Sequence, residues 1–234
     1  MIHIWRGLAG LALLAPTIAD ARQPASPAAR PASVGAAAIL PSEAAARVID
    51  WVAATSDNHA LPWAVVDKTN AALFLFDPKD KPLAAVPVLV GIAVGDEASP
   101  GVGSKTLAAL GPAEKTTPAG RFLAKFGLPV AGERVLWVDY ATSVALHPIP
   151  QDAGVRERRR ERMLSATPDD NRITFGCINV PKAFYSTTLG PLFRRKGGYV
   201  YVLPDTRSLE DVFHRCGFVL QLSLIHISEP TRPY

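Results

Sequence analysis

The sequence predicts a mostly β domain with a few short helices, and three observations predict it. From Trp63 onward, strand-length apolar runs ("WAVVDK", "AALFLF", "PLAAVPVLVG") are separated by the turn sequences "TN" and "DPKDKP". Further runs of the same kind follow in "VLWVDY", "SVALH" and "GYVYVLP". Helical spacing is confined to short segments. Short strands bounded by turn residues are the pattern of a β-rich layer structure. The 234 residues leave room for one medium domain with appendages.

Taken in order, "MIHIWR" is a short cationic start, and "GLAGLALLAPTIA" is an apolar run too short, and too interrupted by Pro16, to span a bilayer. Ala19-Asp20-Ala21 reads as a small-x-small cleavage site, so residues 1–21 are expected to be a signal peptide and the mature chain to be exported and soluble. Residues 22–41 are rich in Pro, Ala and Ser and are expected to be a flexible spacer. Ser42 has the position of an N-cap, and Ala45, Val48, Ile49 and Val52 follow at helical spacing. The folded domain is expected over residues 42–221, with its motif-bearing core at about 60–204. "VRERRRERM" (155–163) interleaves Glu157 and Glu161 among arginines at four-residue spacing, which predicts a solvated helix rather than a basic binding patch. Residues 222–234, "LSLIHISEPTRPY", break the preceding pattern and look like an in-frame translation of a DNA-library adapter, so they are expected to be non-native.

The net charge of +4 suits a polyanionic envelope only weakly. An exported chain with no aromatic-plus-basic reading surface excludes a nucleic-acid role.

The chemistry concentrates at "RITFGCINVP", where Cys177 follows Gly176. The chain has two cysteines, and an exported chain tolerates a bridge, so Cys177 could be a nucleophile, half of a disulfide with Cys216, or a small buried hydrophobe. A thiol nucleophile needs a base or cation, because free cysteine titrates near 8.5. Of five histidines, His3 leaves with the signal peptide and His226 lies in the suspect tail. His214 lies two residues from Cys216 on a predicted helix whose apolar stripe is Leu209, Val212, Phe213 and Cys216, so the two do not face each other. His59 sits in a loop-like stretch. His147 ends a strand signal about 30 residues before Cys177 and points away from the face of Val144 and Leu146. Gly176 permits a turn closed to other residues, which could aim backbone N–H groups at an oxyanion. Thr174 is placed either to orient the imidazole or to serve as an ordinary strand threonine.

A strand-end histidine followed by Thr-Phe-Gly-Cys-Ile-Asn resembles the signature of the YkuD-type L,D-transpeptidases. "TTPAGRF" (116–122) looks like that family's Thr-Pro-x-Gly-x-Phe segment, and "WAVVDKTNAALFLFD" is similar to its first hairpin. The resemblance implies a β-sandwich-like domain in the periplasm, acting on peptidoglycan tetrapeptide stems through a cysteine thioester, with no metal or cofactor. It implies Cys177 as nucleophile, His147 as general base, and the N–H groups of Gly176 and Cys177 as oxyanion donors. The acceptor would be a second stem or an envelope lipoprotein; water in its place would make the enzyme a hydrolase. Three positions depart from the family: Pro148 stands for its glycine, Phe175 for a frequent histidine, and Asn179 for the commoner arginine, which costs a charge near a substrate carboxylate. Asn179, Phe175 and Tyr140 are candidate substrate-binding residues, although a strand tyrosine in the core is the plainer expectation for Tyr140. A non-catalytic envelope-binding module with Cys177 bridged to Cys216 is the alternative from another class.

Overall fold

A computed structural model describes residues 38–127 and 134–214, without the side chains of residues 152–154. The predicted signal peptide, all but the end of the spacer, Cys216 and the suspect tail lie outside these residues. Helix α1 spans Glu43–Thr55, and its first free amide is met as predicted: Ser42 Oγ accepts from the Ala45 N–H at 3.1 Å. Strands β1 (Trp63–Asp67) and β2 (Ala72–Phe76) form a hairpin. Asp67 Oδ1 closes its turn by accepting from the N–H groups of Thr69 and Asn70, each at 3.1 Å. β3 (Pro82–Pro87) and the short β4 (Val90–Gly91) follow, then β5 (Gly120–Phe126), β6 (Leu136–Asp139) and β7 (Val144–Pro148). Two short helices, α2 (Gln151–Arg156) and α3 (Arg159–Met163), lead to β8 (Arg172–Thr174) and β9 (Ile178–Val180). A helical stretch of α4 (Lys182–Phe184), a π turn (Tyr185–Leu189) and α5 (Gly190–Phe193) precedes β10 (Gly198–Val202) and α6 (Leu209–Phe213).

Eight strands form one mixed sheet in the order β3-β2-β1-β10-β5-β6-β7-β9, and β4 pairs with β8 in a second, two-stranded sheet. The pairs β1–β10 and β7–β9 are parallel. The fold is therefore mostly β with short helices, as the sequence predicts. Its central strands are buried on both faces. Ala64 and Val66 of β1 and Val200 and Val202 of β10 join the larger core, together with Leu146 of β7 and Ile178 and Val180 of β9. The alternate residues Trp63, Val65 and Tyr201 face α1 and α6 in a second core. There Trp63 stacks on Phe76 at 4.0 Å, and Ala45, Val48, Trp51 and Val52 of α1 are buried. Ile49, expected on that stripe, is only partly buried and packs at its edge. Strand β5 was not among the predicted strands: its residues are mostly half-exposed, so no strong apolar run marks it.

Among the described residues, no helix is long and apolar enough to cross a membrane.

Candidate active site

Cys177 immediately precedes β9. The parallel register pairs Leu146 with Ile178 and His147 with Asn179, so one step back sets Cys177 opposite Ala145. Val144, Leu146, Ile178 and Val180 point into the larger core, which puts Ala145, His147, Cys177 and Asn179 together on the other face. His147 on β7 and Cys177, at the entry to the neighbouring β9, thus share a face two residues apart in register. The Cys177 thiol is free and partly exposed, and lies 3.8 Å from the carbonyl of Ser143.

The turn that presents the sulfur is held from inside. Gly176 has φ 119°, and a Cβ there would lie 2.8 Å from the Thr116 carbonyl, so both conformation and space call for glycine. Thr117, from the "TTPAG" segment, donates its hydroxyl to Gly176 O at 2.8 Å and accepts from Gly91 N–H at 2.9 Å. The Thr174 hydroxyl donates to Cys177 O at 2.6 Å and accepts from Gly176 N–H at 3.2 Å. These contacts change two expectations. A hydroxyl has one proton, and that of Thr174 is spent on the turn, so it does not orient the imidazole. The Gly176 N–H is turned inward to Thr174 and is not presented to an oxyanion. Replacing Thr117 with valine keeps the shape but strands the Gly91 N–H; we expect a loss of about 1–3 kcal/mol in chemical denaturation.

The imidazole is fixed at both nitrogens. His147 Nδ1 lies 2.8 Å from Pro148 O, an acceptor, so Nδ1 carries the proton. Nε2 lies 3.3 Å from Asn179 Nδ2, a donor, so Nε2 carries the lone pair. The Asn179 orientation follows from its other end, where Oδ1 accepts from Arg159 Nη1 at 2.8 Å and arginine can only donate. Pro148, which stands where the resemblance expects glycine, contributes its carbonyl to this arrangement.

Arg159 corrects the reading of residues 155–163 as a solvated helix. Arg158, at φ 52°, breaks the segment between α2 and α3. Arg158 and Arg160 stay exposed, whereas Arg159 is only 5 % exposed, with its Nε 2.6 Å from Glu157 Oε2. The cation beside Asn179 thus comes from a residue 20 positions earlier in the chain. An alternating Arg/Glu run carries no mark of which arginine turns inward.

Burial pushes the Cys177 thiol above its ordinary pKa; the Ala145 N–H and the positive charge of Arg159 pull the other way without overcoming it. The resting sulfur is a thiol.

Phe175 is partly buried under the Lys115 ammonium, 4.0 Å from the ring centre. Tyr140 is 74 % exposed beyond the end of β6, edge-on to Trp137, and so is not the core residue the sequence favours. It opens the turn whose last residue, Ser143, faces the sulfur. His59 lies in a turn region beside Tyr199, 5.6 Å ring to ring, and His214 is exposed after α6. Among the described residues no cluster of three His, Cys, Asp or Glu side chains could hold a metal ion.

No protein-family model and no curated protein matches the chain. Among solved structures, it is similar to an L,D-transpeptidase (residues 123–326) from Xylanimonas cellulosilytica at 14 % identity and a TM-score of 0.36. The similarity covers 61 % of this chain and 60 % of that one. At so low a score the fold and the chemistry rest on the residues and distances above.

Proposed function

We propose that the protein is a periplasmic cysteine acyltransferase of the L,D-transpeptidase type, acting on the tetrapeptide stems of peptidoglycan. The observation that carries this reading is a free, partly exposed thiol on a positive-φ glycine turn, sharing a sheet face with an imidazole whose Nε2 is unprotonated and accepts from the Asn179 amide. The Thr-Phe-Gly-Cys-Ile-Asn and Thr-Thr-Pro-Ala-Gly motifs support the substrate class, and the structure gives both a common purpose, since Thr117 and Thr174 clamp opposite sides of the Gly176–Cys177 turn.

In the proposed reaction the Cys177 proton displaces the Asn179 amide at His147 Nε2, and the sulfur attacks the carbonyl of the third stem residue. The carbon–nitrogen bond to the terminal D-alanine breaks, and the imidazolium returns the proton to the leaving amine. An acceptor amine, from a second stem or an envelope lipoprotein, then attacks the thioester. The carbon–sulfur bond breaks, an amide forms, and the amine proton passes through His147 back to the thiol. The separate tautomer-fixing contact at Pro148 O keeps Nδ1 protonated throughout.

Incubating the purified protein with disaccharide-tetrapeptides tests this reading. Cross-linked dimers with release of D-alanine are the expected products. Shortened monomers alone would mean that water is the acceptor and the enzyme a hydrolase. Unchanged substrate, with Cys177 oxidised to a bridge with Cys216 in the native protein, would favour a non-catalytic module.

A further inference from the structure

We propose that Arg159 is a positioning residue of this site: it clamps Asn179 from behind and brings a buried positive charge toward the sheet face that carries Cys177, favouring the thiolate that attacks. The inference rests on Cys177 being the nucleophile, as in the function proposed above.

The geometry leaves Arg159 few alternatives. Its guanidinium is almost fully buried, where an arginine is tolerated only with charged or polar partners. Two are present. Glu157 Oε2 takes the Nε–H at 2.6 Å, and Asn179 Oδ1 takes an Nη1–H at 2.8 Å. Glu157 is one-third exposed, so its negative charge is shared with water, while Asn179 is fully buried and neutral. The positive charge is therefore only partly cancelled on its inner side. That side faces the sheet surface carrying Asn179, His147 and Cys177. The effect of Arg159 on the thiol is in the direction this placement requires.

The second consequence is directional. Asn179 could turn its amide either way in a symmetrical setting. With Oδ1 committed to an arginine donor, Nδ2 is presented to His147 Nε2, and the resting ring is kept in the tautomer unprotonated there, which takes up a proton when the amide gives way. Arg159 touches neither the imidazole nor, in this arrangement, the sulfur. It acts through Asn179 and through its field. Other charged or titratable groups around the sulfur are His147 on β7, Glu157 beside Arg159, and Lys115 over the Phe175 ring.

The test is the pH dependence of Cys177 alkylation by iodoacetamide, followed by intact mass on the whole protein, with the unfolding midpoint recorded for each variant. Removing the cation in Arg159→Gln should move the alkylation midpoint up by about one pH unit and slow the reaction roughly tenfold near neutrality. Arg159→Lys keeps the charge without the fork and should recover most of that shift. Glu157→Gln strips the counter-charge from a partly exposed position and should move the midpoint down. A variant with the wild-type midpoint in place of either shift, or a lysine variant displaced as far as the glutamine one, overturns the proposal. If Arg159→Gln does not fold, Glu157→Gln decides alone, because a structural role for Arg159 predicts no downward shift. Alkylation needs no stem peptide. A wild-type protein that fails to join stems would therefore refute the proposed function while leaving the Arg159 measurement standing.

Discussion

If the protein is the proposed acyltransferase, a carbapenem should form a covalent adduct on the wild type, and Cys177→Ser should abolish it, as read by intact mass, and lower acyl transfer by at least about a thousandfold. A serine hydroxyl is far less acidic than a thiol, and one imidazole two residues along the register does not make it a comparable nucleophile. His147→Ala should be nearly as damaging near neutrality, by about a hundredfold to ten-thousandfold, but for a different reason. Burial pushes the Cys177 thiol upward, so without the base it stays protonated at neutral pH. Thiolate then forms only as the pH rises toward the thiol's own raised pKa. The rate of His147→Ala should consequently climb close to tenfold per pH unit across the alkaline range, whereas Cys177→Ser stays inactive. Labelling that survives Cys177→Ser, or a His147→Ala variant indifferent to pH, would remove the sulfur–imidazole pair from the mechanism.

The largest effect on stability is expected at Lys68, far in sequence from the nucleophile but connected to it. Its ammonium is fully buried and lies 2.6 Å from Gly95 O, 3.0 Å from Thr117 O, 3.1 Å from Asp96 Oδ1 and 3.2 Å from Asp205 Oδ2. Arg172 holds the other oxygen of Asp205 at 2.7 Å. Lys68→Met removes one partner and leaves buried acceptors and the Asp96 carboxylate behind, which costs about 3–5 kcal/mol. The same change releases the Thr117 carbonyl, and Thr117 is what holds Gly176, so Cys177 reactivity should fall along with the denaturation midpoint.

Asp96 extends this prediction to acid. Burial alone would raise its pKa, but the Thr206 hydroxyl and the N–H groups of Asp205, Thr206 and Arg207 all bond to it and hold the carboxyl well below the usual carboxylate range. A group with a lowered folded pKa stabilises fully above its unfolded pKa, near 3.9, and loses that contribution as the pH falls toward its folded value. Stability should therefore hold down to about pH 4 and fall below it, and Asp96→Asn, though less stable at neutral pH, should flatten that acid limb.

Much of the fold is written in local signals. The Ser42 cap, the β1–β2 hairpin and the strand of His147 each depend on hydrogen bonds or side-chain alternation within a few residues, and each lies where the sequence puts it. The glycine before Cys177 is of the same kind, because a positive φ is a property of that one residue and its immediate surroundings. Even Cys177 and His147 on one face follow from strand alternation once the two strands are neighbours.

What that neighbourhood contains was decided by contacts across the chain. Thr174 bonds within its own turn instead of to the imidazole, and Gly176 spends its amide on Thr174, because the chain doubles back tightly enough to close those bonds. Tyr140 leaves the core because β6 ends one residue before it. Arg159 turns inward while its neighbours stay in water, because a backbone break at Arg158 and a buried amide on β9 meet only in the folded state. The amino-acid sequence by itself determined the cap, the first hairpin and the strand of His147, since periodicity and turn chemistry are local. Only the tertiary structure decided which cation stands beside Asn179, since electrostatic partners are chosen by distance in space and not by distance along the chain.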